Sequence, residues 1–293
     1  MDRDALQRLG PMLDQLLENF AGCAVAPTRR LIATYVRGQL GPLPRKSVKP
    51  MALEAGIPPR TLQELLSLHR WDEELLLAML QRRVRRSHAG GTAFGLLFES
   101  RCVKKGDRTP GVARQTCEAA PRPRNCVVLL HLALSDGDFH CLLDTAVYLP
   151  RTWIDDPDRG GAAGIPEQAH YRSKKEIAWN LVRRAEANGH SLGRLIVPAE
   201  YLADPASAEA LGQGGRSVAV WSTSGEPLMR AGAVARHVLE ERMREIGLDH
   251  FEVRSFRSLT RHLALSAVSL LFLAEQSDRS RRERDSLPIR SHA

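Results

Sequence analysis

Leu6, Leu9, Met12, Leu16 and Leu17 recur at three-to-four spacing, which predicts an amphipathic first helix. A second helix is predicted over residues 27–39, ended by Gly41-Pro42-Leu43-Pro44. An apolar turn of helix at 51–55 stops at Gly56, and Ile57-Pro58 leads into a new helix near Pro59 or Arg60. Two readings of residues 50–68 stand. One is a helix-turn-helix whose second helix lies in a DNA major groove and presents Arg60, Thr61, Gln63 and Glu64; the other is an ordinary αα-hairpin packed on its neighbours. From Phe94 the period changes. Short apolar runs at 94–99, 126–134 and 139–148 predict strands, with 112–117 pairing between the first two. Residues 174–187 predict an amphipathic helix, with Ile177, Ala178, Leu181, Val182 and Ala185 on one face and Gly189 as its stop. Strands follow at 192–197 and 217–221, with a loop-like Ala/Gly/Ser stretch at 202–215 between them. Helices at 231–246 and 259–275 close the pattern.

Three strands and then helix–strand–helix–strand–helix predict an α/β fold: an RNase H-like mixed sheet with flanking helices, preceded by a helical N-terminal domain. The expected division is residues 1–90 (helical, DNA-binding), 91–276 (core) and a polar, arginine-rich, disordered tail at 277–293.

With 42 Lys and Arg against 34 Asp and Glu, the formal net charge is +8, which favours a polyanionic partner. The five cysteines, Cys23, Cys102, Cys117, Cys126 and Cys141, show no CxxC spacing, which argues against a zinc ribbon or a disulfide framework. They read as reduced, mostly buried residues of a cytoplasmic protein. No apolar run is long enough to span a bilayer, the longest being residues 263–274, interrupted by Ser266 and Ser269. No Ser/His/Asp, Cys/His or phosphate-loop pattern points to a small-molecule enzyme.

Four ordered stretches carry a family resemblance. They are Tyr35-Val-Arg-Gly-Gln-Leu with Leu43-Pro-Arg-Lys-Ser; Arg60-Thr-Leu-Gln-Glu-Leu-Leu-Ser through Trp71-Asp72; Lys104-Lys-Gly-Asp-Arg-Thr-Pro-Gly-Val-Ala-Arg-Gln through Asn125-Cys126, Tyr148-Leu-Pro, Trp153 and Ala163-Gly-Ile-Pro-Glu; and Gly247-Leu-Asp-His-Phe-Glu-Val-Arg with Arg261-His-Leu-Ala-Leu. Together, over about residues 18–275, the chain resembles the DDE-superfamily transposases of bacterial insertion sequences. The resemblance implies an RNase H-like sheet on which three carboxylates hold two Mg²⁺ ions for DNA cleavage and strand transfer. It also implies a nucleoid-associated protein whose partner is double-stranded DNA, acting as a homo-oligomer or beside an active transposase.

At all three acidic positions the chain departs from the family. Asp-Glu-Thr-Ser-Phe-Pro-Lys-Lys-Gly becomes Phe98-Glu-Ser-Arg-Cys-Val-Lys-Lys-Gly, Asp-Glu-Gly-Tyr becomes Pro198-Ala-Glu-Tyr, and the glutamate of the last core helix aligns with Arg236. A strand-rich insert usual in the family before that helix is reduced to residues 199–235. The first expectation is therefore a DNA-binding homologue without a metal-binding triad and with no cofactor. Arg45, Lys46, Arg60, Gln63, Lys104, Lys105, Arg114, Gln115, Arg172, Lys174, His250 and Arg254 are its candidate DNA contacts. The second is an Mg²⁺-dependent nuclease using the displaced Glu99, Glu200 and Glu240 (or Glu241). A one-residue shift along a strand sets Glu99 against this, because it turns away from whatever Phe98 faces. The third is a decayed copy with no stable fold.

Overall fold

The computed structural model describes residues 3–88, 92–116, 122–203, 205–212, 215–224 and 226–285. Five helices come first: α1 (Arg3–Glu18), α2 (Ala26–Leu40), α3 (Val48–Glu54), α4 (Pro59–Ser67) and α5 (Glu73–Ser87). Pro27 sits in the first turn of α2, where its missing N–H costs nothing. The Asp72 carboxylate opens α5 by accepting the Leu75 N–H at 2.8 Å. Between α3 and α4 the chain turns through Gly56 at φ +68°, a left-handed conformation suited to glycine. Leu62, Leu65 and Leu66 then point inward from α4 while Arg60 and Gln63 stay exposed.

The sheet contains β1 (Phe94–Val103), β2 (Ala113–Gln115), β3 (Arg124–Asp136), β4 (Phe139–Val147), β5 (Arg194–Val197) and β6 (Ser217–Val220). β1 pairs antiparallel with β3 along its whole length, from Phe94↔Ser135 to Val103↔Cys126. β3 continues into β4 through a tight hairpin at Gly137, φ +60°. β5 and β6 add in parallel on the other side of β1, giving the order β2-β3-β1-β5-β6 with β4 also on β3. The architecture is thus mixed α/β, a mixed sheet with helices against it and N-terminal helices before it. It is consistent with the RNase H-like expectation.

Three local expectations are corrected. β2 does not lie between β1 and β3; those two pair directly, and β2 is a three-residue extension of the β3 edge. The stretch read as a loop at 202–215 contains the helix α9 (Pro205–Gly212). The last helix reaches well past residue 277, so 278–285 are helical; 286–293 lie outside the described residues.

The connection after β4 carries α6 (Arg151–Ile154), α7 (Pro157–Ala162) and α8 (Lys174–Ala187), and α10 (Pro227–Glu245) and α11 (Phe256–Asp285) complete the chain. α8 packs on β3 and β4, α10 on β1 and β4, and α11 on β4. α11 also packs on α2, α4 and α5, so the N-terminal helices and the sheet share one apolar core. Polar bolts join them. Gln39 donates to Ser266 Oγ and accepts from Ser269 Oγ, both at 2.8 Å. His262 Nε2 donates to the Leu248 carbonyl at 2.8 Å, which leaves Nδ1 to accept the Tyr35 hydroxyl proton, also at 2.8 Å. The Arg261 guanidinium, buried, donates to the carbonyls of His69 and Trp71 and pairs with Glu73. Each group is satisfied, as burial requires.

No described helix is long and apolar enough to cross a membrane. Cys23, Cys102, Cys126 and Cys141 are free and buried; Cys117 lies outside the described residues.

Candidate active site

β1 runs past β5. The parallel register ends at Leu96↔Ile196, so Phe98 and Pro198 stand level with each other two residues beyond the last pair. Past that point the free edge of β1 borders α10.

Alternation along β1 sorts its side chains. Phe98 is buried and lies beside its cross-strand partner His131, ring centroids 4.8 Å apart. Ser100, two residues on and so on the same face, shares a 2.8 Å hydrogen bond with His131 Nε2, and Thr145 shares one of 2.9 Å with Nδ1. Burial pushes His131 down to about 3, keeping it neutral. That face is packed core.

Glu99 turns the other way. Its Oε2 receives Lys174 Nζ at 2.6 Å, its Oε1 receives the Tyr201 hydroxyl at 2.9 Å, and Arg101 stands 3.8 Å away. Lys174 is the first residue of α8, whose start is held by reciprocal capping between Ser173 and Glu176. Tyr201 ends a short 3-10 turn that begins after Pro198. Burial, and then the Glu99 charge, hold the Tyr201 hydroxyl firmly protonated.

Across the gap, α10 presents Arg236, Glu240 and Arg244 at successive turns. Arg236 Nε pairs with Glu240 at 2.8 Å, and its guanidinium lies 4.4 Å from the Trp221 ring centre. Close approach of α10 to the sheet depends on Gly232, where an added Cβ would fall 2.6 Å from Ile196 Cδ1. Between strand edge and helix lies a cavity of about 370 Å³, with Glu99, Arg101, Arg236, Glu240, Arg244 and Asp249 among its walls.

Of the three family positions, then, only Arg236 lines this cavity; Phe98 faces the core and Pro198 is buried behind the strand end. Two of the displaced carboxylates, Glu99 and Glu240, do line it, while Glu200 is exposed and does not. The alternation argument correctly turns Glu99 away from Phe98, but the α10 residues lie on the Glu99 side.

The residues present do not fit the Mg²⁺ pair that the resemblance implies. Magnesium takes hard anionic oxygens in near-octahedral geometry. Phe98 has no donor atom, and the Pro198 carbonyl already accepts the Tyr201 N–H at 3.0 Å. Both Glu99 oxygens are engaged, and Arg101 and Arg236 add fixed positive charge. Among the described residues no group of three or more His, Cys, Asp or Glu is placed to hold a metal ion.

The candidate DNA contacts divide. Lys46 is buried, its ammonium donating to the Gln39 carbonyl at 2.6 Å and to that of Glu245, so it caps the ends of both α2 and α10. Its backbone N–H is accepted by His250 Nδ1 at 3.0 Å. Lys104 donates to the carbonyls of Asp249 and Phe251, both at 2.8 Å, over the Phe251 ring; burial pulls it down to about 8. With Lys174 on Glu99, these three lysines brace the fold, and Gln115 reaches the Cys126 carbonyl at 3.5 Å. Arg45 pairs with Glu252 and Arg60 with Glu64 at the surface. Gln63, Lys105, Arg114, Arg172 and Arg254 are exposed. Arg101, Tyr201, Trp221 and Arg244 escaped the sequence reading. Two signals were available, the Glu99/Arg101 alternation and the four-residue spacing of 236, 240 and 244.

Neither a curated protein nor a solved structure matches the chain. The model of the DDE superfamily endonucleases matches residues 19–242, most of the chain; it begins just after α1 and takes in α2 to α5, the sheet and α10 up to Arg242. This chain belongs to the DDE superfamily endonuclease family.

Proposed function

We propose that this chain binds duplex DNA through an RNase H-like core and its N-terminal helices, and that it does not cut the DNA. The family supports a DNA substrate, and the strand order supports the RNase H-like reading. One observation carries the loss of cleavage. The Glu99 carboxylate, the acidic group at the strand edge, is neutralised by Lys174 and Arg101, with Arg236 across the cavity. Two-metal phosphoryl transfer needs anionic ligands around two cations roughly 3.5–4 Å apart, and resident cations there repel metals.

The displaced-carboxylate reading draws support from Glu99 and Glu240 sharing one cavity. One experiment decides between them: supercoiled and linear duplex DNA incubated with purified protein and Mg²⁺ or Mn²⁺, followed by a gel-shift titration. DNA is expected to be retained and uncut. Nicking that disappears in Glu99→Gln would establish the displaced site instead, and absence of any binding at low salt would remove the DNA role.

A further inference from the structure

The cavity between β1 and α10 carries as many arginines as carboxylates, so it is not the acidic pocket that a cation site needs. Its walls carry Arg101, Arg236 and Arg244 against Glu99, Glu240 and Asp249, and Lys174 reaches Glu99 from α8. Glu99 is already taken up by Lys174, Tyr201 and Arg101. The Arg236–Glu240 pair is a partly exposed i,i+4 contact, of a kind that is weak and readily exchanged. Arg244 is exposed and makes no ion pair among the described residues. Arginine forks fit phosphate oxygens in a bidentate manner, and two of them on one face of a helix can bracket a single group. The volume, about 370 Å³, lies within the range of small-ligand clefts.

We propose that this cavity is a metal-free phosphodiester seat, in which Arg236 and Arg244 of α10, backed by Arg101 of β1, hold one backbone phosphate of bound DNA where family members place metal ions. The proposal rests on the DNA-binding reading above and assigns it residues. No bond is made or broken. Glu240 releases Arg236 to the phosphate, and Trp221 keeps the guanidinium from swinging away, since the ring lies 4.4 Å from it.

The test is a salt titration of duplex oligonucleotide binding for the unaltered chain, Arg236→Gln, Arg244→Gln, the double variant, and Arg70→Gln as an exposed arginine outside the cavity. Loss of this one phosphate contact in the double variant should make the log–log salt slope shallower by about 0.9, and each single variant should show part of that change. Each single variant should bind about tenfold more weakly, as expected for one charge-assisted hydrogen bond, and the double variant more weakly still. Arg70→Gln should bind as the unaltered chain does. Arg244→Gln removes an exposed side chain and keeps the test valid if Arg236→Gln misfolds. Equal weakening in Arg70→Gln and Arg244→Gln would reduce the effect to net charge and overturn the seat. Unchanged affinity and slope in Arg244→Gln and in a folded double variant would also overturn it, while leaving DNA binding standing. Failure of the unaltered chain to bind would instead sink the DNA-binding reading itself. Inorganic phosphate, added at constant ionic strength, should compete with DNA for the unaltered chain and not for the double variant. Competition that is equal in both would place the anion elsewhere.

Discussion

Lys46 shows how much one buried cation does here. It closes the carbonyl ends of α2 and α10, two helices far apart in sequence, where positive charge also meets the negative end of each helix dipole. Lys46→Met keeps the aliphatic stem but leaves those carbonyls without a donor. A destabilisation of about 2 kcal/mol is expected in urea denaturation. Arg45→Ala, next door, removes an exposed pair with Glu252 and should cost no more than about 1 kcal/mol. Equal destabilisation in the two variants would refute the capping role. Asp144 offers a pH test. Its carboxyl is buried, and burial lifts it from 3.8 to about 6, against the pull of Arg184. A raised folded value favours the protonated form in the folded state. Its contribution is therefore full below pH 3.8 and is lost as the pH rises through about 6. At about 1.4 kcal/mol per unit the change is up to about 3 kcal/mol. Asp144→Asn should flatten the stability profile between pH 4 and 6; a profile identical to that of the unaltered chain would show the carboxyl to be unperturbed.

Among the elements, α10 approaches the sheet at a glycine. Gly232 lets it lie against Ile196 of β5, and one turn later Arg236 enters the cavity. Gly232→Ala must displace the Ile196 side chain, and its Cγ2 at 3.0 Å leaves that side chain little room, at a cost of about 1–3 kcal/mol despite alanine's better helix propensity. The melting temperature should fall, and DNA affinity should fall with it if the cavity holds a phosphate; an unchanged melting temperature would mean that the contact yields freely. On α4, Arg60→Ala with Gln63→Ala should weaken DNA binding without lowering the melting temperature, because both are exposed and the buried face is leucine. Affinity equal to that of the unaltered chain would favour the plain αα-hairpin. Regular periodicity made these elements legible in advance. The bounds of α8, and the stop at Gly189, follow from its apolar face and the Ser173–Glu176 cap. α9 was not legible because Pro-Ala-Ser-Ala-Glu-Ala-Leu-Gly has almost no sidedness, and β2 was not because three residues carry no period. The candidate site was legible only in its positions. Lys104 reads as a surface cation in sequence, and the carbonyls that hold it come from residues 249 and 251. Long-range partners of this kind leave no local signal.

For the molecule as a whole, α11 decides cooperativity. It packs on the sheet through β4 and on α2, α4 and α5, with Arg261, His262, Ser266 and Ser269 bonded into the first helices. A fragment of residues 1–90 lacks that apolar surface, the donor to the Trp71 carbonyl and the partners of Gln39. It should show weak, non-cooperative helicity by circular dichroism, whereas the full chain should unfold in one transition by every probe. A cooperative melt of the fragment would restore an independent N-terminal domain. The same packing sets an order of events during synthesis. Helices α2, α4 and α5 leave the ribosome well before the segment that completes their packing, and they wait unfinished until α11 follows. A nascent chain is therefore unable to present a finished α4 to DNA, and chains truncated before residue 256 should never acquire that ability.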